Sequence, residues 1–73
     1  MSTKAFVYYS ACGIPLLHTV AGTEADCKAK VVYYASNGQV LIDALADDLE
    51  PLYARSAEVG GLVLPIRITK DLN

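Results

Sequence analysis

Residues 28–42, with the sequence KAKVVYYASNGQVLI, decide between two folds for this chain. The run VVYY at residues 31–34 is β-branched and aromatic, which favours a strand. Asn37-Gly38 follows, and this dipeptide between two apolar segments is the strongest short signal for a two-residue hairpin turn. The pattern therefore predicts a β-hairpin centred on Asn37-Gly38.

The same stretch is also compatible with a helix over residues 24–36. Thr23 is a residue type that caps helix N-termini, and Asp26 would place a negative charge in the first turn, where the helix dipole favours it. Gly38 could supply the left-handed residue that often follows a helix. Helix and strand both stay open for this segment, and the hairpin is the prediction.

The flanking segments favour strands. Residues 4–10 and 15–20 are largely apolar and are separated by Cys12-Gly13, which predicts a first hairpin. At the other end, Leu62, Leu64, Ile66 and Ile68 alternate with Val63, Pro65, Arg67 and Thr69, so the two sets lie on opposite faces of a strand. Pro65 has no N–H to donate, which predicts that this strand lies at a sheet edge or leaves the sheet there.

One amphipathic helix is predicted after Asp47-Asp48. Apolar and small residues recur there with helical spacing, at Leu49, Leu52, Tyr53, Ser56 and Ala57. Pro51 is tolerated in the first turn, and Gly60-Gly61 ends the helix. The predicted order is β-β-β-β-α-β, an α+β fold with the helix across an apolar face of an antiparallel-rich sheet. A helical segment 24–36 would instead give β-β-α-α-β.

Composition limits the classes of function. The 73 residues are 53% hydrophobic and 19% charged, which predicts a single small domain over residues 1–73 that leaves apolar surface uncovered as a monomer. Self-association is therefore expected. The formal net charge is −2 and no run of Lys or Arg occurs, so direct nucleic-acid binding is not expected.

Location is inferred from the cysteines and from the longest uncharged stretch. Cys12 and Cys27 are too few for a disulfide scaffold, and they match no metal-ligand spacing, which indicates reduced thiols. The uncharged residues 5–23 are interrupted by polar residues, Gly13 and Pro15, unlike a signal peptide or a membrane span. We expect a cytoplasmic protein without membrane binding.

Two groups of residues are candidates for a binding surface. The first is aromatic and comprises Tyr8, Tyr9, Tyr33 and Tyr34. Neighbouring strand residues point to opposite faces, so one ring of each pair should face outward and form a protein interface; cross-strand pairing or burial is the alternative. The second is an acidic face comprising Asp43, Asp47, Asp48 and Glu50. It matches no calcium loop, and a solvated helix N-terminus explains most of it.

His18 is the single histidine, and a pocket would have to use it with Cys12 and one tyrosine. Residue types alone do not make a site, so no catalytic, cofactor-binding or metal-binding residue is predicted. We expect a non-enzymatic interaction or regulatory module that acts through self-association or a protein partner. The alternatives are a small-molecule-binding or catalytic domain with a pocket near His18, and an acidic protein that docks on a basic partner surface.

Overall fold

The computed structural model describes residues 2–69, with five elements. They are β1 (Ser2–Tyr9), β2 (Pro15–Ala21), α1 (Glu24–Ala35), α2 (Leu49–Ser56) and β3 (Leu62–Thr69). The predicted α+β class is confirmed. The four-strand order with one helix is wrong, and the elements follow the alternative order, β-β-α-α-β.

The three strands form one antiparallel sheet in the order β2-β1-β3, with β1 in the centre. β1 and β3 pair along their whole length, from Ser2 opposite Thr69 to Tyr9 opposite Leu62. The predicted edge position of β3 is confirmed. Pro65 lies opposite Phe6 within this uninterrupted register, as a residue without an N–H can when its nitrogen faces away from the neighbouring strand.

The segment predicted as a second hairpin is helix α1. At its N-terminus the Thr23 hydroxyl accepts the N–H of Asp26 at 3.1 Å and donates to the Asp26 carboxylate at 2.8 Å. This reciprocal cap satisfies one of the backbone donors that every helix leaves unpaired in its first turn. The capping role considered for Thr23 in the helical alternative is therefore confirmed.

Asn37-Gly38 closes this helix instead of reversing a hairpin. Asn37 has φ 56° and Gly38 has φ 79°. The Gly38 N–H donates to the Tyr33 carbonyl at 2.8 Å, and the Asn37 N–H donates to the Tyr34 carbonyl at 3.1 Å. These two bonds define a Schellman motif with Asn37 as the left-handed residue. A two-residue hairpin turn also needs positive φ at both positions, so the dipeptide alone does not distinguish the predicted hairpin from the end of a helix.

Both helices pack on one side of the sheet. The buried cluster contains Tyr8 of β1, Ala21 of β2, and Cys27 and Val31 of α1. Partly buried side chains that pack around it come from all three strands, from α2 and from its C-cap: Phe6, Leu16, Tyr53, Ala57 and Val63. Burial against the sheet thus stabilises α1 although valine and tyrosine have only moderate helix propensity.

Candidate functional site

The face of the sheet opposite the helices is largely apolar, with a buried centre on β1 and an exposed edge on β3. Successive residues of a strand point to opposite faces of the sheet, and residues that lie opposite each other on paired strands point to the same face. The residues of β1 that alternate with Phe6 and Tyr8, and their partners on β3, therefore point away from the helices. We call this set the open sheet face: Thr3, Ala5, Val7, Tyr9, Leu62, Leu64, Ile66 and Ile68, with the exposed Thr3 as its one polar member.

Exposure on the open sheet face is concentrated on its β3 edge. Leu62, Leu64 and Ile68 are 46%, 40% and 43% exposed, whereas Val7 in the central strand is 1% exposed. An exposed apolar patch of this kind on a small protein commonly marks a protein interface.

Within the part of the chain that the structure describes, no charged side chain belongs to the open sheet face. The charged residues of β1 and β3 are Lys4 and Arg67. They lie opposite each other in the strand register, and the alternation of side chains places both on the helix side of the sheet. Lys4 Nζ lies 5.6 Å from the centroid of the Phe6 ring, consistent with a cation–π contact on that side. The open sheet face can therefore contact a copy of itself without bringing like charges together.

Both edges of the sheet are poor templates for an added strand. On β3, Pro65 removes one donor from the outward row of backbone groups. On β2, the register shifts from Tyr8 opposite Leu16 to Phe6 opposite Ala21, so residues 17–20 form a bulge opposite Val7. The edges are interrupted, while the open sheet face is continuous.

The bulge in β2 is held by Thr19, which is 1% exposed. Its Oγ1 accepts the Tyr8 N–H at 3.0 Å and donates to the Leu16 carbonyl at 2.7 Å. The threonine hydroxyl thus replaces ladder bonds that the bulge removes. Within the same bulge, the His18 ring packs edge to face on Tyr34 of α1, with centroids 4.5 Å apart.

A cavity of about 210 Å³ lies beside this ring pair, between the bulge and the ends of both helices. His18, Tyr34, Ser56 and Glu58 contribute to its lining, with Tyr8 and Thr19. The Tyr8 hydroxyl accepts the Glu58 N–H at 2.7 Å, and the Glu58 carboxylate accepts the Ala11 N–H at 3.3 Å. Cys12, which the pocket hypothesis included, is exposed and does not line the cavity.

The four candidate tyrosines do not form one surface. Tyr8 is 3% exposed and packs edge to face on Tyr53 at 6.3 Å, so it belongs to the core. Tyr9 belongs to the open sheet face. Tyr33 and Tyr34 are neighbours on α1, their ring centroids lie 5.2 Å apart, and both side chains are exposed. The expectation of one outward ring from each pair assumed strands and does not hold for the helical pair.

The candidate acidic residues Asp43, Asp47, Asp48 and Glu50 are all exposed around the start of α2. Asp43 accepts the Leu45 N–H at 2.8 Å. Glu50 forms an ion pair with Lys28 at 2.9 Å, and Lys28 also contacts Glu24 at 3.2 Å. The hydrogen bond to Glu50 raises the pKa of Lys28, so this cation compensates part of the acidic face.

The two cysteines are free thiols in different surroundings: Cys12 is exposed and Cys27 is buried. Burial raises the pKa of Cys27, which keeps it in the unreactive thiol form. In residues 2–69 no group of three or more His, Cys, Asp or Glu side chains is arranged to hold a metal ion. Over the same range, no helix combines the length and apolar character needed to cross a membrane.

Sequence reasoning missed the open sheet face and the contribution of Ser56 and Glu58 to the cavity. A signal for the open face was present, because β1 has large apolar residues on both faces, with Phe6 and Tyr8 alternating with Val7 and Tyr9. The sequence contains no comparable signal for the bulge.

No family model, curated protein sequence or solved structure matches this chain.

Proposed function

We propose that this chain is a small non-enzymatic interaction module that pairs with a second copy of itself through the open sheet face. The observation that carries the proposal is an apolar, uncharged sheet surface with Leu62, Leu64 and Ile68 at 40–46% exposure. A two-fold dimer places the same patch on both sides of the interface. An apolar surface without charges is self-complementary in that arrangement.

Charge and edge structure both support a second copy as the occupant. The net charge of −2 is small, and the acidic residues near α2 belong to the helix side, away from the open sheet face. Pro65 and the β2 bulge disfavour pairing through the sheet edges. The expected complex is therefore a sandwich of two sheets packed face to face, with their strands at about 30°.

The size of the face predicts a weak dimer. The two strands that form the face, spaced about 4.8 Å apart with eight residues rising about 3.3 Å each, give roughly 10 by 26 Å, or about 250 Å² per copy in projection. Standard interfaces bury about 800 Å² of accessible surface per partner. Even with the additional area of corrugated side chains, the interface lies at the small end, which predicts a dissociation constant in the micromolar range or above.

Leu64→Glu tests the proposal, because Leu64 pairs with Val7 at the centre of the face. A dimer would bring two carboxylates into its apolar core, and an unpaired buried charge costs about 3–5 kcal/mol, so the dissociation constant should rise at least about 100-fold. Leu45→Glu is the matched control, since Leu45 is 90% exposed and lies before α2.

Sedimentation equilibrium between about 10 µM and about 1 mM gives the mass of each variant across the range that a micromolar dissociation constant requires. The wild type and Leu45→Glu should approach the dimer mass, whereas Leu64→Glu should have a dissociation constant at least about 100-fold higher, a mass near that of the monomer over most of the range, and an unchanged far-UV circular dichroism spectrum. A wild type that is monomeric at the highest concentration, or equal weakening by both substitutions, would overturn the proposal.

A further inference from the structure

We propose that the cavity beside His18 binds a small organic cation, specifically a primary ammonium ion on a short apolar chain. The proposal is independent of self-association, because Tyr8 and Leu16, which line the cavity, belong to the helix side of the sheet. A dimer formed through the open sheet face would leave this cavity accessible.

The electrostatic surroundings of the cavity favour a positive ligand. Among residues 2–69, Glu58 is the one acidic side chain in the lining, and no lysine or arginine lines the cavity. Ala35 and Ser56, the last residues of α1 and α2, are also in the lining. The C-terminal end of a helix carries a partial negative charge, and α1 has no basic residue in its last turn. The last turn of α2 carries Arg55, so the Glu58 carboxylate and the end of α1 are the groups that attract a cation.

The aromatic and polar side chains fit the same ligand class. Tyr34 supplies an aromatic ring at the cavity wall, held edge to face by His18 at 4.5 Å, and ring faces attract ammonium groups. The Glu58 carboxylate has its Oε2 on the Ala11 N–H at a long 3.3 Å, so Oε1 can accept a charge-assisted bond from an ammonium ion. Among residues 2–69, the Ser56 hydroxyl makes no hydrogen bond, so it can accept a second hydrogen bond from the ammonium ion.

The volume restricts the size of the ligand. At about 30 Å³ per water molecule, a cavity of about 210 Å³ has room for about seven waters. Sites for drug-sized molecules have about 300–1,000 Å³, so the expected ligand has about seven heavy atoms or fewer. Its apolar chain would contact Leu16 and Val31, which also line the cavity.

Three probes of equal chain length separate charge from size: n-butylammonium, 1-butanol and butyrate. Each is titrated into ¹⁵N-labelled protein while amide chemical shifts are followed by NMR. We expect n-butylammonium to shift the signals of His18, Tyr34 and Ser56 with a millimolar dissociation constant, because so small a ligand makes few contacts. 1-Butanol should bind at least fivefold more weakly, and butyrate should not bind.

Glu58→Gln tests the assigned carboxylate while keeping an oxygen that can accept the Ala11 N–H. It should weaken n-butylammonium binding about tenfold, as expected for loss of a charge-assisted bond, and leave 1-butanol binding unchanged. Asp47→Asn, which removes a charge outside the cavity, should change neither. Binding of butyrate as tight as that of n-butylammonium, no response of these three signals, or an unchanged affinity in Glu58→Gln overturns the proposal.

Discussion

Replacing the buried hydroxyl of Thr19 should destabilise the fold strongly, because that hydroxyl holds the β2 bulge. Thr19→Val preserves the shape of the side chain but removes the acceptor of the Tyr8 N–H and the donor to the Leu16 carbonyl. Both backbone groups then lose partners where the side chain is 1% exposed. His18 lies in the same bulge, so its contact with Tyr34 should loosen as well.

The magnitude follows from the two orphaned groups. Each buried polar group left without a partner costs about 1–3 kcal/mol, so the loss of both bonds in Thr19→Val should cost about 2–6 kcal/mol. A 73-residue domain has a free energy of unfolding of roughly 4–11 kcal/mol, and the substitution would remove a large share. Thr19→Ser keeps the hydroxyl and removes one methyl group, which costs about 1 kcal/mol.

Urea denaturation followed by far-UV circular dichroism measures these differences. The expected order of stability is wild type, then Thr19→Ser, then Thr19→Val. A loss below about 1 kcal/mol in Thr19→Val would refute the bridging role, because it would be smaller than the cost of a single buried unpaired group. A larger loss in Thr19→Ser than in Thr19→Val would refute it equally, because the methyl group would then matter more than the hydroxyl.

Two further perturbations test the core and its ionisable groups. Gly61→Ala should lower the melting temperature strongly, because a Cβ at position 61 would clash with the buried Tyr8 hydroxyl. Gly22→Ala is the control, because a Cβ there meets no atom within 4 Å and should be tolerated. Equal melting temperatures for the two variants would contradict this packing. Stability should also fall as pH rises above about 9, because burial raises the pKa of Cys27 and Tyr53 and the bond to Glu50 raises that of Lys28, from ordinary values of 9.0, 10.0 and 10.5. A group whose pKa is raised in the folded state contributes its full stability below its ordinary pKa and loses that contribution as pH rises through the raised pKa. A urea midpoint that stays constant up to about pH 11 would contradict these shifts.

Local patterns in the sequence were sufficient for four of the five elements. Alternation of apolar residues and a turn glycine located β1, β2 and β3, and helical spacing with Pro51 in the first turn located α2. These signals depend on residues a few positions apart, so they do not require knowledge of the rest of the fold. The edge position of β3 also followed from one residue, Pro65.

Helix α1 could not be predicted with the same means. Asn37-Gly38 supplies two positive φ angles, which a hairpin turn and a Schellman motif both use. What selects the helix is nonlocal: Cys27, Val31 and Val32 are buried, with Cys27 and Val31 against the sheet, and that face exists only once β1 and β2 are paired.

The candidate surfaces depended on that same choice. With residues 33–34 on a helix, Tyr33 and Tyr34 are both partly exposed, Tyr34 contacts His18 beside the cavity, and Tyr8 packs beneath the helices. The open sheet face became visible only when the register showed which alternate residues of β3 face away from α1 and α2. The cavity depends on the β2 bulge, for which the sequence contains no local signal.

Self-association through the open sheet face is tested most directly by isotope-filtered NMR on a mixture of ¹³C-labelled and unlabelled protein. Nuclear Overhauser effects that connect labelled with unlabelled chains report only contacts between copies. The account predicts such effects at the methyl groups of Leu62, Leu64 and Ile68 and none at Leu41 or Leu45. Intermolecular effects confined to Leu41 and Leu45, or none at millimolar concentration, would contradict it.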